Sequence, residues 1–127
     1  MKNVIQVALV EPSEPDAHWF EIIREELRLQ VELRPYTTGL SALHDWRANP
    51  HSAPDLIVVA DMLPMLTLPE FVAASKTLHP NTPIIVATGG ARVSLQNGTL
   101  ELEHYKKPLS AEDVRSMCRL SPIIRLA

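Results

Sequence analysis

The chain is poor in glycine and almost without cysteine, and each scarcity removes a class of function. Only four glycines occur in 127 residues, Gly39, Gly89, Gly90 and Gly98. They build neither a GxxxxGK[ST] loop for triphosphates nor a GxGxxG turn for dinucleotides. The single cysteine, Cys118, has no internal disulfide partner, which suits a reducing, cytoplasmic setting. It falls in the apolar pattern of a terminal helix and reads as packing. Long apolar runs are missing: none approaches the about 20 residues that cross a bilayer. The run Val4–Val10 is interrupted by Gln6 and closed by Glu11, so it does not read as a signal peptide. Charge of one sign is nowhere concentrated. Twelve Lys and Arg are interleaved with fifteen Asp and Glu, and no basic block offers a footprint for nucleic acid. His18, His44, His51 and His79 lack ligand spacing, and no zinc pattern or nucleophile elbow is present. No cofactor or metal is expected.

What is present is an alternation of strand-like and helix-like stretches. Val4–Val10 (VIQVALV), Leu56–Ala60 (LIVVA) and Pro83–Thr88 (PIIVAT) are short apolar runs rich in β-branched residues, as in parallel strands covered on both faces. Gln30–Tyr36 alternates more weakly, and Leu100–Lys106 is a fifth strand. Ser13, with Asp16 three residues on, opens a helix carrying Phe20, Ile23 and Leu27 at helical spacing. Leu40, Leu43 and Trp46 mark a second helix. Leu68–Leu78 is a third, with Phe71, Val72, Ser75 and Leu78 facing inward. Ala91–Asn97 gives at most a turn or two before Gly98, and Ser110–Leu120 is a last helix ended by Pro122. Right-handed βα crossovers turn this order into an α/β domain with a parallel sheet and helices on both faces. One domain over residues 1–121 is expected, with 122–127 as a tail or the start of a linker.

In such a sheet, ligands meet the carboxyl ends of the strands at the switch in strand order. The segment Pro54 to Pro64 (PDLIVVADMLP) stands there, with Thr88 ending the fourth strand and Lys107-Pro108 following the fifth. In these features the sequence resembles response-regulator receiver domains over nearly its whole length. The resemblance implies the flavodoxin-like fold, strand order 2-1-3-4-5, and a cis peptide before Pro108. It also implies a site in which an aspartate ending the third strand accepts a phosphoryl group. Two acids after the first strand hold magnesium there, while a threonine and a lysine bind the phosphoryl oxygens.

The sequence departs from that site. Matched without a gap, the acceptor position falls on Ala60 and the second metal-binding acid on Pro12, leaving Glu11, Thr88 and Lys107. A carboxylate is needed both as nucleophile and as metal ligand, so an alanine and a proline remove the reaction. The expected reading is a phosphorylation-independent pseudo-receiver, not an enzyme, with an unrelated small-ligand-binding flavodoxin-like domain as an alternative. A one-residue shift would instead put Asp61 in the acceptor place, but it would invert every side chain of the strand unless a bulge intervened. Lys107 then either pairs with Glu11 or Asp61, bonds a loop carbonyl, or keeps a catalytic role. Thr88 either tightens the Gly89-Gly90 turn or is a remnant of switching.

The expected output is contact with a protein partner or an output domain of a longer chain in bacterial signalling or transcription. Direct nucleic-acid or membrane binding is not expected, and a homodimer stays open. His104 takes the family's switch-aromatic place, with Tyr105 facing the other way; it is either a pH reporter or a half-buried histidine. The segment Met62–Pro69 carries Met62, Leu63, Met65, Leu66 and Leu68, five large apolar residues in eight. That segment is expected to pack over the abandoned pocket and to present a docking face. A degraded helix at Ala91–Asn97 puts the family's dimer face in doubt.

Overall fold

Three apolar runs form the middle of a parallel sheet. In the computed structural model, which describes residues 4–28, 30–89 and 102–119, these are β1 (Ile5–Val10), β3 (Leu56–Ala60) and β4 (Ile84–Thr88), buried almost throughout. A strand covered on both faces has no solvent side, so Val, Ile, Leu and Ala run on without alternation. The flanking strands β2 (Val31–Tyr36) and β5 (Glu103–Lys106) carry exposed residues. The order is β2-β1-β3-β4-β5 with every pair parallel, as expected.

Four helices are described, each opened by a hydroxyl cap. Ser13, Thr38, Thr67 and Ser110 accept the backbone N–H three residues on and start α1 (Glu14–Leu27), α2 (Gly39–Ala48), α3 (Leu68–Leu78) and α4 (Ala111–Cys118). Each cap is worth about 1 kcal/mol. Strand alternation then divides the core in two. Val7, Leu9, Val58, Ile85 and Ala87 meet Phe20 and Ile23 of α1 and Val114 and Met117 of α4. Ala8, Val10, Ile57, Val59 and Val86 meet Leu43 and Trp46 of α2 and Phe71 and Val72 of α3. Burying each of these large side chains stabilises the fold by about 1.5–3 kcal/mol.

The bounds of β3 and α3 agree with the sequence reading. Leu40 does not: it is exposed, and Gly39, Ala42, Leu43 and Trp46 form the buried stripe of α2. At Gly39 a Cβ would stand 3.0 Å from Phe71 and 3.1 Å from Leu66, so a larger residue there would make those side chains give way for α2 to keep its close approach to α3. The expected short helix at Ala91–Asn97 and the expected boundary at residues 121–122 lie outside the described residues. Among the described residues, no helix is long and apolar enough to cross a membrane.

One detail of β2 matters later. Ile5 N–H bonds the Gln30 carbonyl and Glu11 N–H bonds the Tyr36 carbonyl, so even-numbered residues of this strand face β1. Val31, Leu33 and Pro35 therefore turn their backbone groups outward, and Pro35 has no N–H to offer.

Candidate functional site

The carboxyl ends of the strands bring the singled-out residues together, but as two clusters on opposite faces of the sheet. Odd-numbered residues of β1 and even-numbered residues of β3 project toward α1 and α4. Glu11 and Ala60 therefore share that face, and Lys107, two residues beyond Tyr105, joins them. Asp61 and Thr88 continue the rows of Val59 and Val86, toward α2 and α3.

On the first face Lys107 is the centre. Its Nζ lies 2.5 Å from Glu11 Oε1 and 3.0 Å from Asp16 Oδ2. Glu11 is buried, and its second oxygen accepts the Ser13 N–H at 3.1 Å. Burial alone would lower the pKa of the Lys107 ammonium, but hydrogen bonds from it to Glu11 and Asp16 outweigh that and raise it. Ala60 is buried, the last residue of β3, in register with Ala87. Beside the ion cluster is a pocket with room for about one water, lined by Leu9, Phe20, Ala87, Leu109 and Trp19 among others. Trp19 Nε1 donates to the Leu109 carbonyl at 2.7 Å, so α1 holds the loop after β5 at two points, Asp16 and Trp19.

On the second face, Thr88 Oγ1 donates to Asp61 Oδ2 at 3.0 Å. Thr88 is buried and Asp61 half-buried. The Thr88 hydroxyl thus turns to Asp61 rather than serving only the Gly89 turn. Among the described residues no cation pairs with Asp61.

Lys107 pairs with Glu11, one of the expected partners, and with Asp16 as well. Ser13 caps α1 by accepting the Asp16 N–H, as the sequence reads, while Glu11 takes the Ser13 N–H and the Asp16 carboxylate reaches across to Lys107. Neither that reach nor Trp19 was singled out. Nothing local marks these two residues, since their partners are about 90 positions away in the chain. The peptide before Pro108 is cis. His104 is half-buried with Nδ1 2.8 Å from the Leu102 carbonyl, and Tyr105 packs on the opposite, α1/α4 side. The apolar loop does not roof the Lys107 cluster. Leu63 and Leu66 pack at Gly39 in the α2/α3 core, while Met62 and Met65 stand exposed.

No protein-family model matches the sequence, and no curated protein matches it. Solved structures do. A response regulator receiver domain protein of Bacillus halodurans superposes with a TM-score of 0.72 at 22% identity, over 94% of this chain and 98% of that one. A response regulator receiver domain protein of Clostridium thermocellum gives 0.76 at 17%, over 97% and 96%. The chemotaxis response regulator CheY4 of Vibrio cholerae gives 0.75 at 19%, over 92% and 98%. At these identities the likeness establishes the fold, which is that of receiver domains.

Proposed function

We propose that this receiver-fold chain is a phosphorylation-independent pseudo-receiver, a non-enzymatic protein-interaction domain in bacterial signal transduction or transcription control. One observation carries the reading. On the face where Lys107 stands, the strand-end position is the methyl group of Ala60, and Lys107 is committed to Glu11 and Asp16.

A receiver's chemistry needs magnesium, and the side chains here do not fit it. Magnesium takes an octahedral shell of oxygens, commonly with one or two carboxylates and several waters. Pro12 and Ala60 have no side-chain oxygen, and the Lys107 ammonium sits within contact of both Glu11 and Asp16, where a dication would have to approach. The ammonium supplies the charge that those acids need without any metal.

A second reading has one observation in its favour. Asp61 accepts a hydrogen bond from Thr88, the hydroxyl that would bind a phosphoryl oxygen, so Asp61 is the remaining candidate acceptor. Among the described residues no lysine pairs with it, and it sits on the other face from Lys107. Amide spectra recorded with magnesium and then beryllofluoride, a phosphoryl mimic, separate the readings. The pseudo-receiver predicts no saturable shift at Glu11, Ala60–Met62, Thr88 or Lys107. Shifts that need both reagents and vanish in Asp61→Ala would overturn it and establish the second reading.

A further inference from the structure

Among the described residues, five large apolar side chains are exposed: Val4, Trp19, Leu40, Met62 and Met65. Three of them belong to one corner. Leu40 follows Gly39, and Gly39 is the seat into which Leu63 and Leu66 pack. With the two leucines turned down, Met62 and Met65 are left 77% and 88% exposed. Met65 has a φ of 65°, the left-handed region, which costs a non-glycine residue roughly 1–2 kcal/mol. The loop thus keeps a methionine where glycine would be unstrained. An unbranched thioether side chain adapts its shape to whatever covers it.

Among the described residues, the charges next to the methionines in the chain are acidic. Asp61 precedes Met62 and the exposed Glu70 follows Met65, and no lysine or arginine occurs between Arg47 and Lys76. The start of α1, after β1, adds the exposed Glu14, while Glu11 and Asp16 are paired with Lys107 and leave one net negative charge between them. A second copy of this chain would bring the same acids to the same corner, and nucleic-acid phosphates or anionic lipids would be repelled likewise.

We infer that Leu40, Met62 and Met65 form a docking surface for a cationic amphipathic helix of a partner protein. Apolar residues of that helix at i, i+3 and i+4 cover the methionines, and its flanking Lys or Arg meet Asp61 and Glu70. The inference rests on the interaction-domain reading above.

The test uses the full chain with ¹³C-methyl methionine. Of the four methionines, the buried Met117 is an internal reference. The probe is an amphipathic Leu/Lys helix of about 18 residues, long enough to be helical when bound, with its Leu/Glu counterpart as control. The Met62 and Met65 methyl signals should move saturably with the Leu/Lys helix alone, and affinity should fall as salt rises. Met62→Gln with Met65→Gln should weaken binding about thirtyfold; both side chains are exposed, so the variant folds. Asp61→Asn with Glu70→Gln should flatten the salt dependence. Still methionine signals, equal response to the Leu/Glu helix, unchanged affinity in the methionine variant, or self-association through these methyls would each overturn the inference. The titration contains neither magnesium nor beryllofluoride, so its failure is distinct from the appearance of a phosphorylation switch.

Discussion

Replacing Lys107 by methionine keeps the aliphatic stem and removes the charge on which Glu11 depends. Glu11 and Lys107 have side chains only 5% and 15% exposed, so their pair is not a screened surface contact. Breaking a buried pair by deleting one partner costs about 3–5 kcal/mol. Glu11 keeps its bond from Ser13 N–H, and Asp16 is 44% exposed and readily rehydrated, which puts the loss near the lower end. A loss of about 3 kcal/mol lowers Tm by about 10 °C in a domain of this size. It lowers the urea midpoint by roughly 1.5 M for a slope of about 2 kcal/mol per molar. Urea unfolding at neutral pH, followed by circular dichroism, measures it. The companion is Lys107→Met with Glu11→Gln, which removes the stranded charge. It should recover most of the loss and leave about 1 kcal/mol. Losses that simply add in the double variant, or a Lys107→Met cost below about 1 kcal/mol, would refute the claim that the two residues form one buried unit.

Three further outcomes follow from the geometry. Burial, and then a hydrogen bond to Asp45, push the Tyr36 hydroxyl up to about 12. The unfolded chain therefore loses this proton first, and stability falls from about pH 10 upward; absorbance titration of tyrosinate should show Tyr36→Phe removing the last ionisation. Burial lowers the His79 pKa, and its Nε2 has no partner among the described residues, so the unfolded state takes up the proton first. Stability should decline as pH falls below about 6.5, with a shallower slope in His79→Phe by urea midpoints at several pH values. Met65→Gly removes an exposed side chain and the cost of positive φ, so calorimetry should show an unchanged or higher Tm by up to a few degrees.

The parts of the fold legible in the sequence are those fixed by periodicity and local caps. β3 reads as five apolar residues between Asp55 and Asp61, and α3 runs from the Thr67 cap to His79, because burial on both faces and a capping box leave local marks. Leu40 misleads because it sits at helical spacing from Leu43, yet the stripe that packs begins one residue earlier, where α2 must let Phe71 approach Gly39. At the site, the absences at Pro12 and Ala60 are visible in one dimension. The pairing that follows from them is not. Asp16 reads only as part of the α1 cap until the sheet brings Lys107 to it, and the separation of Asp61 from Lys107 appears only once strand alternation assigns them to opposite faces.

The outward row of β2 has a consequence for how the chain behaves in crowded solution. An open strand edge is a template on which another extended chain can add itself, hydrogen bond by hydrogen bond. Along Val31, Leu33 and Pro35 that template offers two donors and then a pyrrolidine ring, next to the Arg34 and Tyr36 side chains that are tied to Asp45. A strand docking there would lose register at the third rung. The proline thus works against fibril growth at the margin of the sheet.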